Sequence, residues 1–135
     1  MSDFNTQIVE EFRANDGVVG GMFEGAALLL LNHTGRKSGK SFVAPLVYFT
    51  DNERLVIVAS KGGAPENPEW YHNLNSTPDI TVEIGAETKS VRASEIVGAE
   101  RDRIFADIAA KAPGFGEYQK NTSRIIPLFY LDVAP

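Results

Sequence analysis

Three segments of this chain carry residue types that could grip a ligand or do chemistry. The first is Thr34-Gly35-Arg36-Lys37-Ser38-Gly39-Lys40-Ser41. Its cations, Arg36, Lys37 and Lys40, crowd into one short stretch of a chain whose net charge is −5. The two glycines allow the backbone to approach a ligand closely. Backbone N–H groups, the Ser38 hydroxyl and the cations together suit an anion clamp. The segment is not a phosphate-binding P-loop. Gly39-Lys40-Ser41 would need a glycine where Thr34 stands, and a strand pattern follows rather than a helix. A solvated hairpin turn, whose lysines discourage edge pairing, is the other reading of the same residues.

The second segment, Ala59-Ser60-Lys61-Gly62-Gly63-Ala64, leads to Asn67-Pro68 and then to Trp70-Tyr71. A strand ends, a glycine pair bends the chain and a helix begins. A helix N-terminus favours anions, Lys61 adds charge, and the two rings offer flat apolar faces. Such a set suits a ligand with an aromatic ring and an acidic tail. A plain strand-to-helix connection with Trp70 in the core fits equally. The third segment groups Phe115, Tyr118, Phe129 and Tyr130 near Arg124. These are core residues by type, although Tyr118 could donate a hydrogen bond into a pocket.

The usual catalytic sets are missing. The chain has no cysteine, which removes disulfides, thiolate nucleophiles, zinc–cysteine sites and iron–sulfur clusters. No G-x-S-x-G elbow occurs; Gly39-Lys40-Ser41-Phe42-Val43 lacks the second glycine. His33 and His72 stand apart, with no metal-ligand spacing around them, and read as structural histidines. The chain therefore lacks the parts for hydrolysis and has the parts for holding an anionic aromatic ligand. A cofactor would bring the reactivity.

The elements that must position these segments follow from the pattern. The 135 residues suit one domain, 1–135. A composition 43% hydrophobic and 23% charged is that of a globular protein. The acidic balance argues against nucleic-acid binding. The longest apolar run, Ala26 to Leu31, is far short of the roughly 20 residues needed to span a bilayer. The first residues are polar and show no secretory leader. No repeat, linker or low-complexity stretch occurs.

Phe4, Ile8, Val9 and Phe12 mark one face of a helix over Asp3 to Arg13, capped by Ser2 and ended by Asn15-Asp16-Gly17. Gly20-Gly21 then permit an irregular turn. Six strands follow: Ala26–His33, Phe42–Thr50, Arg54–Ser60, Ile80–Ile84, Thr88–Val97 and Ile125–Val133. The continuously apolar first strand is expected to be covered on both faces. A short helix opens at Asn67, with Asn67 as cap and Pro68 in the first turn, and stops before Pro78. A second covers Ala99–Lys111, burying Ile104, Phe105 and Ile108, and Pro113-Gly114 stop it. Hairpin-linked strands with peripheral helices predict a mainly β (α+β) fold, a small antiparallel barrel or roll.

In this order the residues resemble the deazaflavin-dependent nitroreductase family, whose cofactor is coenzyme F420. The matching stretches are Arg13–Gly17 with Gly20-Gly21-Met22-Phe23, Thr34–Gly39, Pro45-Leu46, Val56–Ala64, Asn67–Leu74, Tyr118-Gln119 and Thr122–Pro127. The resemblance spans nearly the whole chain. It implies a six-stranded antiparallel split β-barrel related to the FMN-binding split barrels. It implies that the phosphate and polyglutamate tail of F420 lie along Arg36, Lys37, Ser38 and Lys40. Phe42, Val43, Ala44, Pro45, Leu46 and Val47, with Val58, Ala59, Ser60 and Lys61, would line the ring and ribityl region. Trp70, Tyr71, His72 and Asn73 would bound the groove, and Phe115 would face it. Members active on bulky bicyclic nitroimidazoles carry tyrosines where this chain has Ala112 and Phe115; only Tyr118 is kept.

The expected activity is hydride transfer from reduced F420 to a quinone, a nitroaromatic or an activated alkene such as an enone. Ser60 and Tyr118 are the candidate catalytic residues, hydrogen-bonding the charge that develops on the acceptor. No metal is expected. An FMN-binding split-barrel oxidoreductase and a non-catalytic deazaflavin carrier are the alternatives. The short N-terminal segment suggests a cytoplasmic protein without stable membrane insertion, compatible with peripheral contact at the inner face. A homodimer is left open.

Overall fold

The computed structural model describes residues 4–20 and 27–133. Ser2, Asp3, Gly21, Met22, Phe23 and Ala26, and the Phe4 side chain, lie outside the described residues. The strands are β1 (Leu28–Thr34), β2 (Ser41–Asp51), β3 (Arg54–Val58), β4 (Asp79–Ile84), β5 (Glu87–Ile96) and β6 (Leu128–Val133). They close a barrel in the order β1-β2-β3-β6-β5-β4, with β4 returning to β1. Every pairing is antiparallel. This is the six-stranded antiparallel barrel expected from the hairpin-linked pattern.

The unbroken apolar run of β1 has a simple cause. Leu29 and Leu31 point inward with Ile57, Val82, Phe129 and Leu131. Leu28 and Leu30 point outward, under Ile8 and Phe12 of α1 (Phe4–Ala14). β3 is likewise covered twice. Ile57 is inside, while Val56 and Val58 meet Ile104, Phe105 and Ile108 of α3 (Gly98–Lys111). Successive side chains of a strand face opposite ways, so a strand buried on both faces loses its alternation. Trp70 and Leu74 of α2 (Glu69–Ser76) join the interior cluster and so fix that helix against the barrel.

Three local expectations need correction. α3 ends at Lys111, before Pro113 and Gly114 as expected, but no loop follows it. A further helix, α4 (Pro113–Lys120), starts with Pro113 in its first turn, where the missing N–H costs nothing. Asn67 does not cap α2: Pro68 occupies that position, and the Asn67 amide oxygen instead accepts a hydrogen bond from Arg124 at 2.7 Å. β6 begins at Leu128 rather than Ile125. Ile126 N–H donates to Gln119 Oε1 and Ile126 O accepts from Arg101, so side chains have taken its ladder groups, and Pro127 has no N–H to offer.

Candidate functional site

Two cavities lie side by side along β2, and the start of α2 reaches both. The first, about 390 Å³, is bounded by the β1–β2 hairpin and by Glu69 and Asn73 of α2. The hairpin closes tightly. Gly35 N–H donates to Lys40 O at 2.8 Å, and Lys40 N–H donates to Ser38 Oγ at 3.2 Å. A Cβ on Gly35 would stand 2.7 Å from Ser38 Oγ and 2.9 Å from the Phe42 ring, so a larger residue there would push both side chains aside. Arg36 and Lys37 line the cavity with exposed side chains. Neither they nor Lys40 join any ion pair among the described residues. The turn is both a solvated hairpin and one wall of a cavity.

The second cavity, about 360 Å³, is mostly apolar. β2 contributes Ala44, Pro45, Leu46 and Val47, and β3 contributes Val58. Ser60 and Lys61 follow β3, Trp70 comes from α2, and Phe115 and Tyr118 come from α4. Phe115 packs edge-on against Phe49 and against Tyr118, with centroids 5.6 Å and 5.7 Å apart. Those contacts seat α4 on the barrel. The Tyr118 hydroxyl makes no hydrogen bond among the described residues and borders the cavity. Gly63, at φ +85°, lets the loop after β3 meet α4: a Cβ there would be 3.0 Å from Tyr118 O.

The remaining candidates lie elsewhere. Lys40 is exposed beside the first cavity without lining it. Val43 packs under α1, and Ala59 is wholly buried in the interior cluster. Tyr71 turns away, its ring against Phe129 and its hydroxyl 3.4 Å from Glu95. Burial and the nearby Glu95 carboxylate push its pKa above the usual phenol value. His72 packs edge-on against Tyr71.

Sequence reasoning left out the residues that fix this geometry. Arg124 donates to Ala64 O at 2.9 Å, Ala59 O at 3.2 Å, Ser60 O at 2.7 Å and Asn67 Oδ1 at 2.7 Å. One guanidinium thereby ties down the whole loop between β3 and α2. Burial draws its pKa below the usual arginine value, with Glu66 acting the other way; it stays charged. Gln119 holds the Arg124 backbone in turn, donating to its carbonyl at 2.7 Å. Gln119 is braced by Arg101, whose Nη2 donates to Gln119 Oε1 at 2.9 Å. His33 and Glu69 also line the first cavity. The signal in the sequence was that Gln119 and Arg124 fall within the stretches that resemble the family, and Arg124 stands beside the aromatic cluster. Lys61, at φ +47°, is paired with Glu66 at 3.0 Å.

The arrangement fits a ligand with a flat apolar ring at one end and negative charge at the other. Within the described residues no group of acidic or histidine side chains could hold a metal ion. No helix there is long and apolar enough to cross a membrane.

Comparison with known proteins points the same way. Residues 5–132 match the family model described as F420H(2)-dependent quinone reductase. A Mycobacterium tuberculosis protein provisionally named as such a reductase is 44% identical over 103 residues, 76% of this chain and 87% of its own length. An F420H(2)-dependent quinone reductase of the same species is 36% identical over 124 residues, covering 89% of this chain and 83% of that protein. A solved F420-H2 dependent reductase superposes with TM-score 0.70 at 36% identity, over 78% of this chain and 94% of that one. A structure described as a domain-swapped dimer superposes with TM-score 0.72 at 34% identity, over 94% and 93%.

Proposed function

The chain belongs to the F420H(2)-dependent quinone reductase family, and on that premise we propose that one domain holds F420 along β2 and reduces acceptors beside α4. It is an oxidoreductase, its cofactor is coenzyme F420, and its fold is the split barrel. Reduced F420, when bound, supplies a hydride from its deazaflavin ring. The protein supplies binding and orientation. Arg36 and Lys37 attract the phosphate and tail, with Lys40 at the exposed margin. Leu46, Val58, Ser60 and Trp70 bound the apolar cavity and exclude water from the ring. Holding donor and acceptor in contact is the main contribution open to such a site. Tyr118, whose hydroxyl is uncommitted among the described residues, and Ser60 hydrogen-bond the charge that grows on the acceptor. Quinones are the principal acceptors, with small nitroaromatics and activated alkenes behind them. The neighbour described as a domain-swapped dimer supports a homodimer, which sedimentation would test.

The observation that carries this reading is the juxtaposition along β2 of an unpaired cationic cavity and an apolar one. A fluorescence titration with F420 and, separately, with FMN tests it. Saturable F420 binding, together with oxidation of F420H2 by a simple quinone, is expected. Preference for FMN would make the chain a flavin enzyme of the same fold. Tight F420 binding with no turnover across quinones and nitroaromatics would make it a carrier.

A further inference from the structure

One polar side chain at the cationic cavity is almost wholly buried. His33, near the end of β1, is 8% exposed. Its ring stacks on Phe42 with centroids 5.6 Å apart. Its Nδ1 lies 2.9 Å from Asn73 Nδ2. Asn73 is itself buried, and its Oδ1 accepts the Arg36 backbone N–H at 2.9 Å. A backbone N–H can only donate, so the amide oxygen of Asn73 faces Arg36 and its NH2 faces His33. Nδ1 is then an acceptor, and the neutral ring carries its proton on Nε2. No hydrogen bond reaches Nε2 among the described residues, yet no buried side-chain nitrogen or oxygen there lacks a partner. Nε2 therefore touches open space, and His33 lines the cationic cavity.

We propose that His33 is a neutral donor subsite of the groove, its Nε2–H binding an anionic oxygen of the cofactor, and that Asn73 is the positioning residue that fixes this tautomer. The assignment rests on the reading that the anionic half of F420 lies in this cavity. The charged groups around His33 are Arg36 and Lys37 from the hairpin and Glu69 from α2. β2 presents only Phe42. On β4, Glu83 is engaged by Arg13 and Asn32, and Asp79 by Arg92. His72 is turned onto Tyr71. Burial holds the imidazole pKa below its ordinary value. Protonating Nδ1 would set an N–H against the Asn73 NH2. The amide would have to turn over, and Arg36 N–H would lose its acceptor. Protonation of His33 and anchoring of the hairpin thus exclude each other.

The test uses the full-length chain labelled with nitrogen-15. Long-range nitrogen–proton spectra should show the Nε2–H tautomer in the free protein at neutral pH, and F420 should shift Nε2 while leaving the tautomer unchanged. His33→Asn, which offers an oxygen near Nδ1 but removes the cavity donor, should raise the F420 Kd about tenfold. His33→Gln, with an amide nitrogen near Nε2, should recover part of that loss. Asn73→Asp should move a proton onto Nδ1 and raise the His33 pKa, giving F420 affinity a pH dependence that wild type lacks in the neutral range. An Nδ1–H tautomer in the free protein overturns the proposal. So does wild-type binding of F420 with an unmoved Nε2 and an unchanged Kd in a folded His33→Asn; that result leaves the functional reading standing. Failure of wild type to bind F420 overturns both.

Discussion

The two ends of the groove are built differently. At the apolar end every turn of the chain is fastened. Arg124 makes four hydrogen bonds to the loop after β3, Gln119 and Arg101 hold Arg124 in place, and Gly63 presses that loop against α4. At the cationic end the hairpin closes on itself, a single buried amide, Asn73, ties it to α2 by one backbone N–H, and the cations are exposed. The division follows the tasks. Hydride transfer requires donor and acceptor to be held in contact, and the many hydrogen bonds of the loop after β3 suit that task. Long-range attraction of an anionic tail needs only charge of the right sign, which exposed side chains can supply.

The contrast is broken most severely at Arg124. Arg124→Ala leaves the carbonyls of Ala59, Ser60 and Ala64 without their donor. Hydrogen bonds to a charged group contribute about 1.5–3 kcal/mol each, and their losses overlap. The expected cost is about 3 kcal/mol of folding stability, a fall in Tm of roughly 10 °C for a domain of this size. Arg124→Lys should recover little, because one ammonium cannot reproduce the fork. Thermal unfolding by circular dichroism measures both. A Tm within a degree or two of wild type in the alanine variant would mean that the loop holds its shape without the arginine.

Arg36→Ala probes the other end and should show the reverse pattern. Its side chain is solvated, and its anchoring N–H belongs to the backbone and survives the change. Tm should stay where it is, while F420 binding weakens by about 2 kcal/mol, roughly thirtyfold in Kd. Added salt should weaken wild-type binding more than the variant's. Equal affinity of wild type and the Arg36→Ala, Lys37→Ala double variant would return the hairpin to a merely solvated turn.

Tyr118→Phe sharpens the comparison at the acceptor. The ring contacts with Phe115 remain, so stability and F420 affinity should hold. Loss of the donor should lower kcat/KM for quinone by about 1 kcal/mol, near fivefold. Steady-state loss of F420H2 absorbance reads it. Wild-type kinetics in this variant would assign Tyr118 to packing alone.

How much of this was legible in the sequence depended on the range of the cause. β1 stood out as doubly covered because burial on both faces removes its alternation; the same coverage of β3 showed only in the structure. The basic hairpin was visible because glycine, charge and serine lie within one turn. Asn67, by contrast, follows the rules of a helix cap and yet serves Arg124, a partner 57 positions away. Likewise, Ile125 to Pro127 follow the rules of a strand, but Ile126 surrenders its backbone groups to Arg101 and Gln119. α4 was hidden by the two residues that usually end a helix, Pro113 and Gly114, here used to begin one. At α4 one local signal reads as a stop where it serves as a start; at Asn67 and Ile126 a long-range polar contact overrode a local preference. The same limit hid His33, whose buried position and fixed tautomer depend on Asn73 forty residues on.

The smallest expected effect concerns stability against pH at the cationic end. His33 has a folded-state pKa held below its ordinary value by burial. The unfolded chain therefore binds the proton more readily, and stability rises with pH wherever the unfolded state carries more protons. The contribution is complete above about pH 6.5, the ordinary histidine value, and drains away as pH falls from there toward the depressed pKa. A second, separate loss follows at lower pH. Asp51, Glu83 and Asp132 are held below the usual carboxylate range, each chiefly by hydrogen bonds from an arginine: Arg103, Arg13 and Arg54. Their contribution is present above about pH 4 and fades as they become protonated. A series of urea melts from pH 7.5 to pH 3 follows both losses. His33→Asn has no ring to titrate, so it should flatten the curve just below pH 6.5 and leave the acidic limb intact. An undiminished slope there would place the titrating group elsewhere and leave the hairpin indifferent to the protonation of its buried neighbour.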